Sequence, residues 1–183
     1  MQCPLSEVKQ LEDLTGYLKA ICISEKRGTA KHPVDKAVLK EGYGIEGDAH
    51  AGDWHRQVSL LSSSKVDDFN KMGACVSDGD FGENILVEEI DCAKLPIGSL
   101  LKFGEDDKGA VIKITQRGKQ CHTHCAIREK TGDCIMPREG VFAEVIRGGI
   151  IKQGDKIRVT FPDINRPFTA AAVVLSRPTA TVP

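Results

Sequence analysis

Residues 99–115 read SLLKFGEDDKGAVIKIT, two short apolar runs held apart by a glycine-bracketed acidic turn. Neither SLLKF nor AVIKIT is long enough for a helix of ordinary length, and the Gly and Asp residues between them supply turn chemistry, so the stretch reads as strand, turn, strand. The same grammar recurs on both sides: YLKAICI (17–23), VDKAVL (34–39), RQVSLL (56–61), ENILVE (83–88) and DKIRVTF (155–161), separated by Gly, Pro and Asp. A parallel α/β sheet needs a helix at nearly every crossover. Only two segments have a convincing helical pattern. Ser62 to Met72 has serines for an N-cap, Val66 and Phe69 on one face and Gly73 as a stop. Pro137 to Arg147 has proline in its first turn, Phe142, Val145 and Ile146 on one face, and Gly148 and Gly149 at its end. The expected fold is therefore mainly β, a β-barrel with a few short helices.

The flanks are plainer. Leu5, Val8, Leu11 and Leu14 lie three apart and suit a short amphipathic helix over Pro4 to Thr15. The run IIKQGDKIRVTF (150–161) reads as a hairpin turning at Gln153, Gly154 and Asp155. After Phe161, prolines 162 and 167 flank a polar linker that leads into FTAAAVVLS. The expected organisation is an extension over 1–16, one domain over 17–160, and a linker and tail over 161–183.

The chain has 183 residues, 40% of them hydrophobic, enough for one sizeable core. A net charge of −1 gives no global basic field for nucleic acid or an anionic membrane, so any anion site must be local. The most apolar stretch, Phe168 to Leu175, is far below the ~20 residues of a spanning helix. Seven cysteines in no framework spacing, after an N-terminus without secretory order, predict free thiols in a reducing cytoplasm.

Two segments stand out chemically. In GYGIEGDAHAGDWHRQVSLL (42–61), glycines 42, 44, 47 and 52 keep a loop open beside Asp48, His50, Asp53, His55 and Arg56. No metal-ligand spacing is present there, and an anion contact by Arg56 or His50 is the better reading. The second segment, 113–142, has a local basic excess: Lys113, Arg117, Lys119, Arg128 and Lys130 with His122 and His124, against Glu129 alone up to Lys130. It reads either as an anion cradle or as a solvated strand edge guarded by lysines. CHTHC (121–125) invites a zinc reading, but in an extended chain Cys121 and Cys125 would lie about 13 Å apart, too far for one ion. Lys119 and His122 flank Cys121, and nearby cations lower a thiol's pKa and raise its thiolate fraction. Cys3, Cys22, Cys75 and Cys92 are isolated, the setting of cysteines buried as small hydrophobes.

The blocks GYGIEGDAHAGDWHRQVSLL, FGENI (81–85), GKQCHTHC (118–125), CIMPREGVFAEVIRGG (134–149) and IIKQGDKI (150–157), in this order, resemble the MOSC domain, named for the C-terminal domain of molybdenum-cofactor sulfurases. The resemblance implies a β-barrel, a family cysteine at Cys121, and a role in carrying sulfur or binding the molybdenum cofactor (molybdopterin). Asp48, His50 and Arg56 fall in the first motif, Glu83 and Asn84 in the second, and Pro137, Arg138 and Glu139 in that around the last helix. Of these, Asp48, His50, Arg56, Glu83, Asn84 and Arg138, together with Arg117, Lys119 and His122, are the candidate cofactor contacts. Two functions follow. In one, Cys121 accepts sulfur as a persulfide from a cysteine desulfurase, which would carry the pyridoxal phosphate, and passes it to the cofactor or a molybdoenzyme. In the other, the barrel only holds the cofactor, with Cys121 as a molybdenum ligand. The tail RPFTAAAVVLS is similar to the opening strand of the molybdenum-cofactor adenylyltransferase family up to Ser176.

Overall fold

The computed structural model describes residues 14–106, 108–119 and 133–162. Seven strands close into a barrel: β11 (Lys156–Thr160), β7 (Leu100–Phe103), β8 (Val111–Arg117), β9 (Val141–Arg147), β5 (Val58–Ser62), β6 (Ile85–Glu88) and β1 (Thr15–Ile23), with β11 returning to β1. The 99–115 stretch is the antiparallel pair β7 and β8, Leu101 facing Ile112 across the ladder. The first half of β1 pairs with β11 and its last residues pair with β2 (His32–Val34). A second sheet of three strands holds β10 (Gly149–Lys152), β3 (Lys36–Lys40) and β4 (Gly44–Ile45).

Leu18, Ile21, Leu60, Ile85, Val87, Leu101, Phe103, Ile112, Ile114, Val141, Ala143 and Val145 belong to the main core. Leu18 and Ile21 differ in strand parity, and a register shift between Leu18 and Ala20 reconciles them, since one extra residue moves every later side chain to the other face. Ala20 and Cys22 thereby join a second core with Leu61, Val66, Phe69, Val76, Phe81, Leu86, Met136 and Phe142. Helix α1 (Ser63–Lys71) covers this side with Val66 and Phe69 and forms the crossover between β5 and β6, which pair in parallel. Held between two cores, β5 is buried at all its positions, which is why QVSLL has no polar face.

The helix expected over 62–72 is α1. The helix expected over 137–147 is not formed: one turn, α2 (Met136–Glu139), gives way at Gly140 to β9, which pairs with both β5 and β8. Val141, Ala143 and Val145 alternate toward the main core while Phe142 packs in the second, so both faces are apolar and the period of two is hidden. The hairpin expected around 153–155 is also corrected. The tight turn is present, with Asp155 N donating to Lys152 O (3.1 Å), but β10 pairs with β3 whereas β11 pairs with β7 and β1. The turn hands the chain from one sheet to the other. The N-terminal helix falls mostly on residues 1–13 and the apolar tail on residues 168–175, both outside the described residues, while Thr15 already opens β1.

Candidate functional site

The loop between β4 and β5 carries the first motif and is anchored at Asp48. This carboxylate accepts Ser24 N (3.0 Å) and the Lys31 ammonium on Oδ2, and His50 N (2.9 Å) on Oδ1. The side chains of Lys31 and Asp48 are 1% and 0% exposed, so this ion pair is sealed under the loop. Burial works against the Asp48 charge, but contacts from His50, Lys31 and the Ser24 amide outweigh it and hold the carboxyl well below the usual carboxylate range. Burial in turn lowers Lys31, against the pull of Asp48 and Glu83.

Glu83 and Asn84 sit beside this pair, inside the protein. Glu83 Oε1 accepts Gly79 N (2.7 Å), while Oε2 is buried without a hydrogen-bond partner. Burial pushes its carboxyl up to about 7. Gly79 has φ +92°, and a Cβ there would run into the Lys31 carbonyl, so only glycine lets this turn close on Lys31 and Glu83. Asn84 uses its side chain on the strands: Oδ1 accepts Ser59 N (3.1 Å) and Oγ (3.0 Å), and Nδ2 donates to Cys22 O (3.0 Å). Both residues brace the loop from within and neither faces outward. Burial also pushes the Cys22 thiol up to about 12, helped by Glu83 and Asp78, so Cys22 is held as an unreactive thiol.

The far end of the loop crosses to the exit of β8. Trp54 Nε1 donates to His50 O (2.9 Å), and the Arg56 guanidinium carbon lies 4.8 Å from the Trp54 ring and 5.7 Å from that of Phe142. Arg56 Nε is buried without a hydrogen-bond partner, and no carboxylate pairs with Arg56 among the described residues. Thr115 Oγ1 donates to His55 O and lies 3.1 Å from Phe142 O. Gln116 Nε2 donates to Gly118 O (2.8 Å), which turns its Oε1 toward His55 (2.9 Å) and makes His55 Nε2–H the donor there. Gly118 (φ +62°) donates its N–H to Gly140 O (2.6 Å) and lies so close to α2 that a Cβ would strike Pro137 O. The chain is thus led past α2 at the point where it enters the segment with Cys121.

Of the residues singled out in sequence, Asp48, His50, Glu83 and Asn84 gather at the end of β1, and Arg56 joins them through the loop. Arg117 and Lys119 lie at the β8 exit, exposed and half-buried, with no carboxylate partner among the described residues. Arg138 on α2 is committed to a two-point pair with Asp133 (2.7 and 3.3 Å), which raises its pKa further. Cys121 and His122 lie outside the described residues. Among the described residues no cluster of His, Cys, Asp and Glu could hold a metal ion. Lys31, Trp54 and Phe142 were missed. Lys31 sits in SEKRGTAKHP, where four cationic side chains (Lys26, Arg27, Lys31 and His32) look like a solvated loop, and Phe142 reads as part of a helix face.

Comparison with known proteins places this geometry. YuaD from Bacillus subtilis superposes with a TM-score of 0.69 at 20% identity, covering 83% of this chain and 99% of that chain. YiiM from Escherichia coli gives 0.57 at 16% identity, covering 81% and 71%, and YiiM from Geobacillus stearothermophilus 0.59 at 16%, covering 79% and 75%. A search of curated proteins gave no match. The family model of the MOSC domain matches residues 47–158, from the Asp48 loop to β11. That match spans more than half of the chain, and the chain belongs to the MOSC domain family.

Proposed function

We propose that this MOSC protein carries sulfur on Cys121 toward an anionic pterin, the molybdenum cofactor with which the family is associated. The observation that supports the reading best is Arg56: a guanidinium lying over the Trp54 and Phe142 rings, with a buried N–H lacking an acceptor and no carboxylate partner among the described residues, on a loop fastened to the strand that leads to Cys121. Such a cation keeps its planar fork for a phosphate or similar oxyanion. Arg117 and Lys119 add positive charge at the same exit. The residues therefore fit the anionic end of the cofactor; among the described residues no cluster of His, Cys, Asp and Glu could hold a metal ion, and a soft thiolate such as that of Cys121 would suit molybdenum. When bound, the cofactor would supply the sulfur-accepting metal centre.

In the carrier reading, the Cys121 thiolate attacks the outer sulfur of a donor persulfide. One S–S bond forms as the donor's breaks, the donor cysteine leaves as thiolate, and no external oxidant is consumed. The donor is a cysteine desulfurase that holds its own pyridoxal phosphate, the acceptor is the cofactor or a molybdoenzyme, and both meet the 17–160 domain in the cytoplasm. Intact-mass spectrometry of protein purified from a cofactor-producing host, with metal analysis of the same sample, tests this. The expected result is a species one sulfur atom heavier that is absent from Cys121→Ser. Molybdenum and pterin without sulfane sulfur would overturn the carrier role in favour of simple cofactor holding.

A further inference from the structure

Among the described residues, His50 is the one imidazole that touches the buried ion pair. Its Nδ1 lies 3.2 Å from Lys31 Nζ, and its backbone N–H is held by the same Asp48 that holds Lys31. An ammonium group has only hydrogens to offer. Asp48, which accepts from Lys31, Ser24 and His50, is kept ionised and keeps Lys31 charged in turn. Nδ1 must then present its lone pair to Lys31, and the ring proton resides on Nε2. The Nδ1 edge faces a pair that is 1% and 0% exposed, while the His50 side chain is 34% exposed, so the outward edge carries Nε2–H. His50 O also accepts Trp54 Nε1, and Trp54 is the ring under Arg56.

The geometry points to Lys31 as a positioning residue, which fixes His50 as an outward Nε2–H donor on the loop whose Trp54, bonded to His50 O, lies against Arg56. The use of that donor rests on the anion-site reading above; the tautomer does not. Lys31 lies before the 47–158 family match, so this chain completes its motif loop from outside the motif. Nδ1 is also 3.4 Å from Asp48 Oδ1, so without Lys31 the ring has an alternative, donating from Nδ1 to that carboxylate. Lys31 selects between these two states.

The test is long-range proton–nitrogen NMR of the five histidine rings in the full-length protein, with His50→Gln assigning the signal. The free wild type is expected to show His50 as the Nε2–H tautomer, Lys31→Met to shift it toward Nδ1–H or the doubly protonated ring, and Lys31→Arg, again a pure donor, to restore it. An Nδ1–H signal in the wild type, or a tautomer unchanged in Lys31→Met, would overturn the assignment. Should Lys31→Met fail to fold, Lys31→Met with Asp48→Asn removes both charges, and the wild-type signal still decides. Inorganic phosphate titrated into the same samples is expected to move the His50 Nε2–H signal and to bind several-fold more weakly to Lys31→Met. Phosphate that leaves His50 and Arg56 unmoved while the Nε2–H tautomer is present sinks the anion site and spares Lys31. Phosphate that binds to an Nδ1–H ring sinks Lys31 and spares the anion site.

Discussion

Arg56→Lys keeps the positive charge but gives up the planar guanidinium that stacks on Trp54 and Phe142. The lost fork and stacking are together worth about 1–2 kcal/mol. Affinity for inorganic phosphate is therefore expected to fall about tenfold in titration calorimetry, with thermal unfolding little changed. Equal affinity in the two proteins would remove Arg56 from the site. Sequence made Arg56 and His50 visible because both sit in a glycine-rich loop, where charged side chains have no helix face or strand edge to explain them. Lys31 was invisible for the opposite reason. Its neighbours Lys26, Arg27 and His32 make it look solvated, and its burial arises only when Asp48, 17 residues away, folds over it. The isolated cysteines divide in the same way: Cys22 and Cys92 are buried as expected, but Cys75 is exposed in the loop after α1 at φ +51°.

The elements that were read correctly are those whose periodicity belongs to one face at a time. β7 and β8 line the main core and α1 shields the second, so each shows the pattern of a single interface. β9 touches both cores, and a strand apolar on both faces offers no period to read. The fate of β10 was equally hidden, since a tight turn fixes a change of direction but not which sheet the next strand joins. The junction on which the proposed function depends is the β8 exit. Gly118→Ala would place a Cβ against Pro137 O and strain a residue at φ +62°, so the exit must move away from α2. An expected loss of about 1–3 kcal/mol should appear in urea unfolding. Iodoacetamide labelling mapped by peptide mass spectrometry should show altered reactivity at Cys121, while Cys22, on β1, is unaffected. A labelling pattern equal to wild type would mean that the α2 contact does not govern the thiol segment.

For the molecule as a whole, the buried carboxylates under the loop give stability an uneven dependence on pH. Glu83 lies among Gly79, Asp78 and Asp80 of its own turn, Cys22 of β1, and Lys31 ahead of β2, and its folded value of about 7 stands above the ordinary 4.5. Between those values the folded protein holds a proton that the unfolded chain has released. The contribution from Glu83 is therefore complete below about pH 4.5 and is lost as pH rises through about 7, an offset worth roughly 3 kcal/mol. Asp48 acts in the opposite sense, because its folded value lies below the ordinary 3.8: its contribution is present above that pH and is lost on further acidification. Glu83→Gln separates the two. Glutamine keeps the carbonyl oxygen that accepts Gly79 N and the length of the side chain, but cannot ionise. Urea unfolding at about pH 5, 6, 7 and 8 is expected to show near-equal stabilities at the acid end and a growing advantage for Glu83→Gln toward the alkaline end, reaching about 2–3 kcal/mol. Parallel curves for the two proteins would mean that Glu83 is ionised throughout and that its unpaired oxygen is satisfied, by water or by Lys31, at no cost to the fold.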